Sequence, residues 1–235
     1  MLNDVRPGSD HGHSEAARDD AVVQLYLVGG WGSRTVSRQE SFGAMALRMA
    51  SFQDVIAVDG GVRHCIAMGI TPSLIIGDFD SALSSDVAIC DKSATRCFPS
   101  NKDMSDTELG LNAAFESGAD QVVIFSALGG RTDHSLANLM LLCRYPGKVK
   151  IETECETIYA ISDYKKEVSY PGQTISLIPI AGKVENVSSR GLKWELAGAV
   201  LNENFISLSN VVEGEEFEIW VGQGTLLCVI QNVSS

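Results

Sequence analysis

An α/β domain followed by an all-β domain is the fold class this sequence predicts, and three observations carry the prediction. Short β-rich runs alternate with helical patterns from residue 21 to about residue 145. The helical patterns then stop at Tyr145-Pro146-Gly147. From there on, short β-type runs recur between Gly, Pro or Asn turns. Strands alternating with helices imply a parallel sheet covered on both faces, and evenly spaced short strands imply a sandwich or a related barrel.

The elements follow in order. Ala21–Val28 reads as a strand that ends in Gly29-Gly30, and Ser37–Ala50 as a helix with Phe42, Met45, Ala46 and Met49 on one face. Val55–Val58 is a strand stopped by Asp59-Gly60-Gly61, with a helix over Val62–Met68 behind it. Thr71-Pro72 turns the chain into the strand Leu74–Ile76, which runs into Gly77-Asp78. Thr107–Glu116 is helical, Gln121–Phe125 a strand, and Ser135–Cys143 helical again. The β-type runs beyond are Val149–Thr153, Thr157–Ile161, Thr174–Pro179, Lys183–Val187, Phe205–Ser209, Glu216–Val221 and Leu226–Gln231. The expected organisation is a disordered acidic tail over 1–20, a Rossmann-like parallel-sheet domain over 21–148 and a β-sandwich over 149–235.

Composition narrows the function. A chain of 235 residues, 45% apolar and 20% charged, is long enough to bury a core and has the make-up of an ordinary globular protein. Its net charge of -12 argues against binding to nucleic acid or to anionic lipid, both of which need a basic face. Six scattered cysteines without a CxxC read as reduced thiols and a cytoplasmic location. No apolar run approaches the ~20 residues of a membrane helix, and residues 1–20 hold no apolar stretch of the secretory kind.

Chemistry concentrates at the expected strand ends, where ligands of open α/β sheets bind. Asp59 ends one strand, and Asp78 and Asp80 follow the next. Lys102, Asp103 and Asp106 lie just before a helix, and Arg131, Asp133 and His134 follow the strand Gln121–Phe125. Two carboxylates ~4 Å apart repel by roughly 4 kcal/mol at an effective dielectric near 20, so either these acids are spread apart or a divalent cation joins them. Hard oxygen ligands favour Mg²⁺, which commonly takes one or two carboxylates plus phosphate oxygens. Gly77-Asp78-Phe79-Asp80 reads as the metal-binding segment. Lys102 and Arg131 suit phosphate, and the pairs Gly29-Gly30, Gly60-Gly61 and Gly129-Gly130 allow backbone N–H groups to approach it. The combination fits phosphoryl chemistry on a Mg²⁺-nucleotide. Three residues carry a structural reading beside the functional one: Ser105-Asp106-Thr107-Glu108 has the form of a capping box, Asp59 before Gly60-Gly61 suits simple turn chemistry, and His134 suits a loop-orienting or capping role. Neither GxxxxGK[ST] nor a GxGxxG opening the first helix is present.

Several ordered motifs resemble the thiamine pyrophosphokinase family. Val58-Asp59-Gly60-Gly61, with Gly69-Ile70-Thr71-Pro72 and Ile75-Ile76-Gly77-Asp78-Phe79-Asp80-Ser81, is similar to its first signature. Lys102-Asp103-Met104-Ser105-Asp106 is similar to the second. Gly129-Gly130-Arg131-Thr132-Asp133-His134 with Leu136-Ala137-Asn138 is similar to the third. Gly191-Leu192-Lys193-Trp194 and Ser209-Asn210 resemble two patches of its β domain. Two positions depart from the pattern: Asn101 stands where an acid usually opens the second signature, and Leu208 where a small residue usually precedes Ser-Asn.

The resemblance implies transfer of a diphosphate from ATP to the hydroxyl of thiamine by a homodimer with active sites at the subunit interface. It implies Mg²⁺ on Asp78, Asp80 and Asp103, phosphate on Lys102 and Arg131, and Asp59 and Asp133 close by. Gly29, Gly30, Gly60, Gly61, Gly130, Asp106 and His134 then fall around the nucleotide. Ser209 and Asn210 would contact thiamine, with Trp194 either stacked on it or in the core. Asp103 or Asp133 would take the hydroxyl proton. A pyrophosphokinase for another hydroxymethyl heterocycle, such as a pterin, and a non-catalytic nucleotide or thiamine sensor are the alternatives.

Overall fold

The computed structural model describes residues 24–28, 54–77, 93–98, 103–129 and 131–232, with backbone alone for 24–28. The acidic tail and the helix expected over 37–50 lie outside the described residues. The elements run β1 (Gln24–Val28), β2 (Asp54–Val58), α1 (Gly61–Ala67), β3 (Leu74–Gly77), β4 (Ala94–Cys97), α2 (Asp106–Glu116), β5 (Gln121–Phe125) and α3 (Thr132–Leu142). They continue as β6 (Val149–Glu152), β7 (Glu156–Ile161), β8 (Tyr164–Val168), β9 (Thr174–Ile178), β10 (Val184–Arg190), β11 (Ala199–Leu201), β12 (Ser207–Val211), β13 (Glu216–Trp220) and β14 (Leu226–Gln231). The α/β-then-β order expected from the sequence is the order observed.

One ten-stranded sheet runs through both halves in the order β12-β9-β14-β7-β6-β5-β1-β2-β3-β4. Its β6-to-β4 portion is parallel, β6 included, since Val122 pairs with Val149 and Phe125 with Glu152 in parallel register. Beyond β6 the pairing turns antiparallel, through β7, β14, β9 and β12. A second sheet of four strands, β11-β10-β13-β8, completes the sandwich.

Burial explains why the central strands carry apolar residues on both faces. Along β14, Leu227 faces the core shared with α2 and α3, while Leu226, Cys228 and Ile230 face the core between the two sheets. Along β7, Ile158 and Ala160 take the first side and Tyr159 and Ile161 the second. Strands buried on both faces lose the period-two alternation of a half-solvated strand. Each large side chain so buried contributes roughly 1.5–3 kcal/mol. In the parallel portion, Ile56, Val58, Ile76, Val122 and Ile124 pack under α2 and α3, whereas Val55, Ala57, Ile75, Val123 and Phe125 pack under α1.

Three strands escape the sequence reading, each for a physical reason. β4 (ATRC) is an edge strand with all four residues exposed, so it carries no apolar signal. β8 (YKKEV) edges the smaller sheet and is rich in charge. β11 has three residues.

Candidate active site

The carboxyl ends of the parallel strands form one rim, and the chain reaches it through tightly fixed turns. At the end of β2, Asp59 itself adopts left-handed backbone (φ 49), while Gly60 remains in the right-handed region. Aspartate tolerates that conformation better than most residues. The Asp59 N–H donates to the Ile76 carbonyl (2.7 Å), tying this turn to the end of β3. Gly77 explains itself at the same place: a Cβ there would lie 3.3 Å from Asp59 Cα. The strand entering the Asp78-Phe79-Asp80 segment thus passes directly against the Asp59 turn. Gly29, Gly30, Asp78, Asp80, Lys102 and Gly130 lie outside the described residues.

Asp103 is exposed, before α2. Ser105 caps that helix, its Oγ accepting from the Glu108 N–H at 3.2 Å, and Asp106 is the first helical residue rather than part of the preceding loop. The capping half of the Ser105–Glu108 motif is therefore formed, and Asp106 lies in the first turn, where a carboxylate suits the helix dipole.

The loop from β5 to α3 is latched at both ends. Gly129 donates its N–H to Ser135 Oγ (3.1 Å), that hydroxyl donates to the Arg131 carbonyl (3.2 Å), and Asn138 Nδ2 donates to the Ala127 carbonyl (2.8 Å). Gly129 needs its lack of side chain, with φ at +98°. Ser135 and Asn138 are positioning residues that residue type alone did not disclose; their place in the first turns of α3 is the available signal.

On this latched loop Arg131 forks onto Asp133. Nε donates to Oδ1 at 3.1 Å and Nη2 to Oδ2 at 2.5 Å, and the His134 N–H adds a bond to Oδ1 at 3.0 Å. The Arg131 hydrogen bond first, helped by the His134 N–H, holds the Asp133 carboxyl far below the usual range, at about 2. Arg131 is raised in turn by the same partner. Both side chains are more than half exposed, so the pair orients the guanidinium more than it stabilises the fold.

Among the described residues no three of His, Cys, Asp and Glu converge closely enough to hold a metal ion. Asp59, Asp103, Asp106 and Asp133 therefore form no cation cage by themselves. Their hard oxygen chemistry still suits Mg²⁺ held partly by substrate phosphates.

Far along the sheet lies the second candidate patch. Trp194, open between core and ligand on sequence grounds, is 56% exposed and so is no core residue. Lys193 Nζ stands 4.9 Å from its ring centroid. Ser209 is exposed and left-handed (φ 54), at a bulge where four residues of β12 (Ser207 to Asn210) oppose three of β9 (Leu177 to Ile175). Bulges re-aim side chains beside functional sites. Asn210 is 2% exposed, and its amide is engaged with the main chain of Trp194.

A cavity of ≈ 340 Å³ opens elsewhere, lined by Gln121, Lys148, Tyr159, Asp163 and Lys165 among others. It lies at the amino-terminal ends of β5 and β6, opposite the Asp59 and Arg131 turns, and holds none of the expected site residues.

Comparison with known proteins draws the two patches together. The thiamin pyrophosphokinase catalytic-domain model matches residues 46–155, and the thiamin pyrophosphokinase vitamin B1 binding-domain model matches residues 160–226. Over 150 residues the chain is 31% identical to the thiamine pyrophosphokinase of Bacillus subtilis (strain 168), covering 60% of this chain and 69% of that protein.

The chain belongs to the thiamine pyrophosphokinase family. It is an enzyme of that family, whose reaction transfers pyrophosphate from ATP to thiamine. Thiamine pyrophosphokinase 2 of Arabidopsis thaliana is 30% identical over 159 residues, 61% of this chain and 60% of that one. The crystal structure of thiamin pyrophosphokinase from Geobacillus thermodenitrificans superposes with a TM-score of 0.75 at 25% identity, covering 90% of this chain and 99% of that one. These findings support neither the pterin-type pyrophosphokinase nor the non-catalytic sensor. No described helix is long and apolar enough to cross a membrane.

Proposed function

We propose that the chain works as a homodimer in which the Arg131 rim of one protomer and the Trp194–Ser209 patch of its partner share one thiamine and one ATP. The observation that carries this reading is the strand order. β12, which bears Ser209, is separated from β5, which feeds the Arg131 loop, by β9, β14, β7 and β6. Five steps of ~4.8 Å put the two strands about 24 Å apart within one chain. A hydroxyl that must touch the β-phosphorus of ATP cannot be held that far away, whereas a second copy can bring its β12 edge to the rim. Edge strands with exposed apolar side chains are commonly covered in native assemblies, and β12 carries Leu208, with Phe205 and Ile206 just before it, all exposed. Leu136 and Met140 stand equally exposed on α3.

In this reading the thiamine hydroxyl attacks the β-phosphorus in line and AMP leaves. Arg131 and Lys102 hold phosphate oxygens; Asp133 keeps the Arg131 fork pointed before the nucleotide arrives, so little reorganisation accompanies the reaction. Asp78, Asp80 and Asp103 are assigned to Mg²⁺, with Asp59 beside them. Once bound, that ion would neutralise charge on the phosphate oxygens. Gly29, Gly30, Gly60, Gly61, Gly130, Asp106 and His134 are assigned to the surroundings of the nucleotide. Of the two candidate proton acceptors, Asp133 is disfavoured. A carboxylate that binds a proton only near pH 2 is a weak base, and both Asp133 oxygens already accept hydrogen bonds. Trp194 offers its face to the aromatic rings of thiamine, and Ser209 a hydroxyl. The cytoplasm is the proposed compartment, supported by the free thiols of Cys65, Cys97, Cys143 and Cys228.

Sedimentation tests the assembly. The expected result is a dimer that Leu208→Asp converts to inactive monomers, with activity regained on mixing a rim-defective Arg131→Ala chain with a patch-defective Trp194→Ala chain. A fully active monomer, or no complementation from a mixture that forms mixed dimers, would contradict the shared site.

A further inference from the structure

The pair Ser209-Asn210 looks from its residue types like two substrate contacts, but the two side chains are placed quite differently. Asn210 is 2% exposed. Its Oδ1 accepts from the Trp194 N–H at 3.1 Å and from the Val211 N–H at 2.9 Å, and its Nδ2 donates to the Trp194 carbonyl at 2.8 Å. An amide offers two acceptor lone pairs and two donor hydrogens. Both lone pairs and one hydrogen are thus taken, on a side chain withdrawn from solvent.

The remaining bonds of this region serve the same segment. The Lys193 N–H donates to the Val211 carbonyl (2.8 Å) and the Glu213 N–H to the Gly191 carbonyl (3.0 Å). Leu192 bridges to Val212 and is buried at 1%. Gly191 is left-handed (φ +79), and a Cβ on it would lie 2.6 Å from the Glu216 carbonyl oxygen, so the segment is pressed onto the start of β13. Every backbone group of Trp194 is therefore bound to Asn210, while its ring stands 56% exposed.

We infer that Asn210 is a positioning residue: it grips both main-chain polar groups of Trp194 and thereby presents the indole as a rigid platform for the aromatic part of thiamine, making no contact with the substrate itself. The inference rests on the reading of Trp194 as a thiamine contact. A platform fixed in advance loses little conformational freedom when ligand arrives, and that saving appears as affinity. Ser209, on the bulge, is left as the member of the pair that faces solvent. Its own N–H is held by Ser176 Oγ at 3.0 Å.

A double-mutant cycle on the full-length enzyme tests this. Trp194→Ala alone is expected to raise KM for thiamine and leave KM for ATP unchanged. Asn210→Ala is expected to raise KM for thiamine about tenfold, since it removes hydrogen bonds worth roughly one power of ten in equilibrium, with kcat and KM for ATP little changed. In the Trp194→Ala background the same substitution should cost no more than about twofold, because coupled residues are not additive. Amide hydrogen exchange at Trp194 should speed up in Asn210→Ala. If that variant does not fold, Asn210→Ser carries the test: it stays neutral and polar but is too short to bridge both main-chain groups of Trp194. Full additivity of the two substitutions would mean that Asn210 touches substrate, and an unchanged KM on altering Asn210 would remove it from binding; either overturns the inference. An unchanged KM for thiamine in Trp194→Ala alone would instead overturn the platform reading beneath it.

Discussion

Around Arg131 the polar side chains are exposed and satisfy one another, whereas around Trp194 the polar groups are buried and an apolar ring is exposed. The Arg131–Asp133 fork sits more than half open to solvent on a loop latched by Ser135 and Asn138. The Trp194 segment is strapped by Asn210, Leu192 and the close approach of Gly191. The difference follows from the ligand chemistry each region suits. A polyphosphate brings its own charge and displaces water from exposed ions, so the rim needs cations held in reach. An aromatic ring offers mainly stacking area, so its partner gains most from being fixed in advance.

Four experiments test that contrast. The largest effect is expected at the rim: Asp103→Asn should lower kcat roughly 10²–10³-fold with the melting temperature unchanged, because the residue is exposed and its worth lies in charge presented to the reacting groups. Residual AMP release near the wild-type rate would remove Asp103 from the chemistry. Next comes the shared sheet. Leu227, on β14 between the two halves, is 1% exposed, and Leu227→Ala should cost about 2–5 kcal/mol. Denaturation followed by separate probes in each half should remain one coincident transition, since a single sheet joins them; two separated transitions would show independent halves.

A smaller effect is expected at the cap of α2. Ser105→Ala should cost about 1 kcal/mol, read from chemical denaturation, and should raise KM for ATP only if Asp103 depends on that cap. The smallest concerns pH. The Asp133 carboxyl is depressed by Arg131 to about 2. A depressed acid contributes stability that is present above the ordinary carboxylate value and lost as pH falls through the depressed one. The stability difference between wild type and Asp133→Asn should therefore be flat from neutral pH down to about the ordinary aspartate value near 3.9, fading only below it. A difference that stays flat as pH falls from about 3.9 to about 2 would mean that the fork is not formed.

The sequence disclosed the elements that periodicity can mark. β5 and β14 fall on the residues expected of them, and α2 begins one residue before its expected start. It did not disclose that β6 continues the parallel sheet, because pairing with β5 is a long-range choice that leaves no mark in four residues. The exposed strands β4 and β8 were silent because nothing apolar had to be hidden there. At the site, residue types pointed to Asp59, Arg131 and Asp133, and the turn geometry brings Asp59 against Gly77 and Arg131 onto Asp133. Asn210 shows the limit: composition marks a polar residue beside Ser209, but only the bulge in β12 reveals that one side chain faces inward and the other out.

The central claim, that one diphosphate unit moves whole from ATP to thiamine, is tested most directly with ATP labelled in its β-phosphate, incubated with thiamine, Mg²⁺ and the enzyme. All transferred label is expected in thiamine diphosphate, with unlabelled AMP formed in equal amount. Label retained in ADP, with thiamine monophosphate as product, would contradict it.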